Sequence, residues 1–140
     1  MFKKNYHNQN AVAKLYNKIL LLSRNKLLYT SLKLSDTFKN RINLIFLHAS
    51  FLFIKNKDVN SIKDYEDFYQ KMFDYIFSNI EANMREIGYG DASINKNMKQ
   101  LTKVFYSILL YCEKYREQTI GSKNLLVLPL NICIKYENKH

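Results

Sequence analysis

The residues best suited to chemistry in this chain are Arg85, Asp91 and Lys96, grouped around Gly88-Tyr89-Gly90, together with a single interior histidine, His48. Two glycines close to cations raise the possibility of a phosphate cradle. Such loops follow a strand, open a helix and carry lysine and hydroxyl residues at defined spacing, whereas this one follows a helical pattern and lacks that spacing. His48 lies between Leu47 and Ala49 in an apolar run. A general base needs an orienting partner and a substrate cavity, so a hydrogen-bonded core histidine is the better reading. Cys112 and Cys133 have no metal-ligand spacing and read as small buried hydrophobes in a reducing compartment. Asp64, Glu66 and Asp67 fall in the first turns of a helical pattern, where carboxylates cap and solubilise rather than hold metal. No catalytic, cofactor-binding or metal-ligating set and no small-molecule site is expected; the chain reads as a binding protein.

The elements that must position these residues are helices. Val12, Leu15, Tyr16, Ile19 and Leu22 place a stripe on a first helix running from about Asn10 to Arg24. Asn25 to Lys33 has no helical period and is expected to connect, with Ser35-Asp36-Thr37 offering caps to the second helix. That second helix, about Thr37 to Lys57, is apolar nearly all round in its middle and should be central. Its apolar run, Ile42 to Ile54, falls short of the roughly 20 residues that a membrane span needs. Asp58, Asp64, Glu66 and Asp67 are expected at the front of a third helix, with the stripe Tyr65, Phe68, Met72, Ile76, Ile80, Met84 and Ile87. Gly88 should end it in a left-handed conformation, and Ser93 should cap a fourth helix, with Asp91 near its exposed amides. There Ile94, Met98, Leu101, Phe105, Ile108, Cys112 and Tyr115 alternate steps of four and three. Pro129 interrupts the apolar Leu125–Ile134 segment. The expectation is one all-α domain over 1–140, of four to five principal helices in irregular orthogonal or bundle packing. Its core would span about 10–118, with 119–140 as a separate C-terminal segment.

Three stretches carry a resemblance. Asn83-Met84-Arg85-Glu86-Ile87-Gly88-Tyr89-Gly90-Asp91, followed by Lys96, Met98, Lys99 and Phe105-Tyr106, resembles the ubiquinol–cytochrome c chaperone family, in its bacterial branch. Leu28-Tyr29-Thr30 with Leu34-Ser35-Asp36-Thr37 resembles that family's FYT-x-LGVPDT segment, and Arg41 with Leu47-His48 its arginine and Leu-His segment. Lys33, Ser35 and Ser107 stand where the family pattern carries glycine, proline and glycine. The resemblance implies an assembly factor for complex III that handles newly made cytochrome b, or another subunit of the complex. It implies partner contacts at Tyr29, Asp36, Arg41, His48, Arg85, Gly88, Gly90, Asp91, Lys96, Phe105 and Tyr106, and a short last helix around Leu130-Asn131-Ile132.

The net charge is +10, and residues 1–41 hold nine Lys/Arg against one acid, Asp36. Such a surface suits an anionic membrane, the ribosome or an acidic protein; codon bias, which scatters lysine over solvated faces, is the competing account. A basic helical module binding RNA or the ribosome is the alternative function, resting on charge alone, and DNA is not expected. The absence of a signal pattern after Met1 points to the cytoplasm, with a place at the cytoplasmic face of the inner membrane. A client would lie in an aromatic groove between the second, third and fourth helices.

Overall fold

The computed structural model describes residues 2–118, and the side chains of residues 10–117. Cys133 and the expected helix around Leu130 lie outside the described residues. Five helices follow one another: α1 (Phe2–Ser23), α2 (Lys26–Ser31), α3 (Phe38–Val59), α4 (Ile62–Ile87) and α5 (Asp91–Gln118). The fold is all-α, as expected, and α3 is its hub, packing on α1, α4 and α5.

Local chemistry explains most boundaries. Thr37 caps α3 by accepting the Asn40 amide at 3.2 Å, and Ser61 caps α4 by accepting the Asp64 amide at 3.2 Å. Gly88, at φ 104°, ends α4. Its amide donates to the Arg85 carbonyl at 3.1 Å, and the Tyr89 amide donates to the Met84 carbonyl at 3.1 Å. Two carbonyls left open by the helix end are thereby satisfied in a Schellman turn.

Four expectations need correction. The segment expected to connect contains α2, because Asn25 caps it through the Leu27 amide. Leu28, Tyr29 and Leu32 of this segment pack with buried Leu34 and Leu44 in a satellite cluster. Asp58 belongs to the end of α3, not the front of α4, and forms an ion pair with Arg116 of α5. Ser93 lies inside the first turn of α5; the Gly90 carbonyl accepts the first helical bond from Ile94 at 2.9 Å, so the helix starts earlier. Leu22 and Ile87 come three residues after the last buried stripe positions, Ile19 and Met84, and remain exposed.

The core is an aromatic joint. Phe105 of α5 meets Phe46 and Phe53 of α3 at centroid distances of 5.3 and 6.0 Å, and Phe73 and Phe77 of α4 at 5.6 and 6.0 Å, all close to edge-on. Rings prefer this geometry because the positive edge of one faces the negative face of the other.

Lys33, standing where the family pattern carries glycine, has φ 54°. The backbone keeps the left-handed conformation although its side chain disfavours it. Lys33→Gly is therefore expected to stabilise the chain by about 0.5–1 kcal/mol, after the added flexibility of the unfolded chain is counted. Gly88→Ala should destabilise it by about 1 kcal/mol through backbone strain alone, since no atom lies within 4 Å of an added Cβ. Chemical denaturation of the two variants, read at the transition midpoint, checks the opposite signs.

Candidate functional site

Three hollows run side by side across the end of the molecule where α3 begins, α4 ends and α5 begins. The first, about 250 Å³, includes Leu20 and Ser23 of α1, Arg24 in the turn that follows it, Phe38, Arg41 and Ile42 of α3, and Asn83, Glu86 and Ile87 of α4. The second, about 220 Å³, is walled by Phe38, Ile42, Met84, Leu101 and Val104, with Lys39, Asn43, Tyr89, Asn97 and Gln100 also lining it. The third runs along α5 over Ala92, Asn95, Lys96, Lys99, Gln100, Lys103, Val104 and Ser107. Phe38 and Ile42 are shared by the first two, and Gln100 and Val104 by the last two, so the three form one belt. Among the described residues lining it, Arg24, Lys39, Arg41, Lys96, Lys99 and Lys103 are cationic and Glu86 is the carboxylate. The positive surface is thus assembled from both halves of the chain, and Lys14, Lys18, Lys26 and Lys33 do not line it. The lysines of α5 fall at steps of three and four, which puts them on one helical face.

Short polar networks brace the belt. Arg41 donates through Nε and Nη2 to both Asp36 oxygens, at 2.6 and 2.9 Å, tying the segment before α3 to its first turn. These bonds hold the exposed Asp36 carboxyl below its ordinary range. Arg85 donates to Glu81 at 3.0 Å and to Asp91 at 2.7 Å, bridging the end of α4 to the start of α5 across the glycine corner. Ser23, in the first hollow, accepts through its carbonyl from the Tyr29 hydroxyl at 3.1 Å, and its own hydroxyl donates to the Ile19 carbonyl at 2.8 Å. His48 is half-buried, with Nδ1 2.7 Å from the Leu44 carbonyl and 3.4 Å from the Ser23 hydroxyl. A nitrogen that close to a carbonyl oxygen carries the proton and donates, so the His48 bond closes within α3, and the ring packs beside Ser23 of α1.

The expected contact residues therefore divide. Arg41 and Lys96 line the belt, and Asp36, Arg85, Gly88, Gly90 and Asp91 shape its corner through the pairs and turn just described. Tyr29 supports it from behind through the Ser23 carbonyl, and His48 stands beside the same serine. Phe105 is 1 % exposed and sits in the aromatic joint, whereas neighbouring Tyr106 is 46 % exposed. The space between α3, α4 and α5, expected as a client groove, is filled at its centre by the protein's own rings; the open groove lies at the end of these helices.

Sequence reasoning missed Asn43. It is 2 % exposed and lines the second hollow, yet its Nδ2 has no hydrogen-bond partner. An unmet buried donor costs about 1–3 kcal/mol, and its position in an apolar run was the signal that could have flagged it.

Among the described residues no helix is long and apolar enough to cross a membrane. A family model described as Ubiquinol-cytochrome C chaperone matches residues 30–125, well over half of the chain. No curated protein matches, and no solved structure matches.

Because Phe105 joins three helices, Phe105→Ala is expected to cost about 3–5 kcal/mol and broaden the thermal transition. Tyr106→Ala should stay within about 1 kcal/mol. Thermal unfolding followed by circular dichroism separates a core residue from a surface one.

Proposed function

This chain belongs to the ubiquinol-cytochrome C chaperone family, and on that premise we propose that it is a non-enzymatic assembly factor for complex III which holds newly made cytochrome b on the three-hollow belt. The observation that carries this reading is the belt itself. An apolar floor rimmed by six cations is contiguous with the corner formed by the family motif around Gly88. Binding without a chemical step is the mechanism. Apolar surface on a client segment is covered by Phe38, Ile42, Leu101 and Val104, which removes it from water and from other exposed chains. The cations draw the client in, since a surface of one sign raises encounter rates and falls off with salt.

The same cations would suit a phosphate backbone or an anionic membrane face, which supports a station near the ribosome or the inner membrane while the client emerges. The apolar floor separates these readings, because phosphate contacts alone do not need it.

The test is capture from the organism's own cells: tagged protein, gentle crosslinking, and identification of the proteins and RNA that co-purify from the membrane fraction. Cytochrome b is expected with the wild type, and the Lys99→Glu/Lys103→Glu double variant should capture it about tenfold more slowly at low salt, with the difference shrinking as salt rises. Recovery of ribosomal RNA without cytochrome b would overturn the assembly reading in favour of a basic RNA-binding module.

A further inference from the structure

We propose that the elbow between α1 and α2 docks on an anionic phospholipid bilayer. Leu21, Leu22 and Leu27 enter the acyl boundary, while Lys14, Lys18, Arg24 and Lys26 meet the headgroup phosphates. Apart from Arg24, these residues lie outside the client belt, so the proposal goes beyond the assembly reading and stands on different side chains.

The leucines are the first observation. They are 71, 54 and 65 % exposed, respectively. Helix α1 already has its covered face in Val12, Tyr16, Ile19 and Ser23. Lys14, Lys18, Leu21 and Leu22 follow one another at steps of three and four on a different face. A second row of α1 therefore turns outward, basic at first and aliphatic in its last turn. A tight turn brings Leu27 to the same end: the Leu22 carbonyl accepts from the Asn25 amide at 3.3 Å, and Asn25 Oδ1 accepts from the Leu27 amide at 3.1 Å. Single exposed leucines are ordinary on a protein surface, whereas several gathered at one turn mark a contact surface.

Charge is the second observation. Residues 10–35 hold five cations and no carboxylate. Lys14, Lys18, Arg24 and Lys26 form no ion pair among the described residues, whereas Arg41, Arg85 and Arg116 each hold a carboxylate.

The two features together select a bilayer. Side chains that stand out from a surface suit a fluid that opens to admit them, whereas a folded partner would need a pocket matched to each. RNA would engage the cations and leave the leucines in water, since its bases stack on aromatic rings. A small apolar anchor alone binds a membrane weakly, and lasting attachment takes a basic patch beside it. Both stand here within one elbow, and the lysine stems can lie along the acyl surface while their ammonium groups reach phosphate. Arg24 also lines the first hollow, so docking through the elbow holds the belt beside the bilayer.

The experiment uses the full chain and vesicles of phosphatidylcholine with or without phosphatidylglycerol, read by flotation and fluorescence. The chain contains no tryptophan, so Leu21→Trp supplies a single emitter, and Leu110→Trp, at an exposed site on α5, supplies its control. On phosphatidylglycerol vesicles the Leu21→Trp emission should shift to the blue and be quenched by lipids brominated in the acyl chain, and that of Leu110→Trp should do neither. Leu21→Gln/Leu22→Gln should keep the thermal midpoint and weaken flotation more than about tenfold, and Leu110→Gln should leave it unchanged. Lys18→Gln and Lys26→Gln should each weaken it about fivefold, with the difference shrinking as salt rises. Leu21→Trp emission that stays as it is in buffer, equal losses in the Leu110 and Leu21/Leu22 variants, or equally tight binding to pure phosphatidylcholine would each overturn the docking surface. Leucine-independent vesicle binding that polyuridylate displaces would overturn it in favour of RNA. Capture of cytochrome b is read separately: its absence, with the vesicle results intact, removes the complex III reading and leaves the docking surface standing.

Discussion

The packing of Phe105 against rings from both neighbouring long helices is the constraint on which the rest of this molecule depends. Phe46 and Phe53 arrive from α3, Phe73 and Phe77 from α4, and Phe105 from α5. Large, stiff rings fix the rotation of each helix about its axis, because an edge-to-face contact is lost by a turn that a flexible side chain would absorb. Once those rotations are set, Ile42, Met84, Leu101 and Val104 must face one another at the end of the bundle. The joint therefore fills the middle of the helix triplet and leaves the opening at its end.

The corner at Gly88 then converts that rotation into a surface. A Schellman turn closes α4 within one residue, and Arg85 reaches across it to Asp91, so α5 leaves at a defined angle. At the opposite wall Asp36 and Arg41 perform the equivalent task for the start of α3. Both pairs are solvent-exposed and contribute little to global stability. Their consequence is local, in the spacing of the walls that α3, α4 and α5 present.

The legibility of each feature in the sequence depends on how local its cause is. The end of α4 was legible because one residue, Gly88, carries the conformational requirement, and the stripe of α5 was legible because heptad spacing depends only on its own helix. The family segments were legible as short strings. The division between neighbours Phe105 and Tyr106 was not, since helical phase alone does not say how wide the covered face is; the facing rings of α3 and α4 decide that. Helix α2 escaped because six residues contain less than two turns of period, and its cap, Asn25, has meaning only once Leu28 and Tyr29 have a surface to cover. Asn43 could be seen as a polar break in an apolar run, but the far wall of its hollow comes from positions 84 to 104, which its own helix does not announce.

The charge pattern shows the same dependence on assembly. An excess of lysine concentrated before position 42 suggested an N-terminal basic face, yet the belt draws half of its cations from α5. Lys96, Lys99 and Lys103 share one face of α5 and line the belt with Lys39 and Arg41, while Lys14, Lys18, Lys26 and Lys33 lie away from it. Charges so placed act over about a Debye length and steer an approaching partner, whereas the floor acts only at contact.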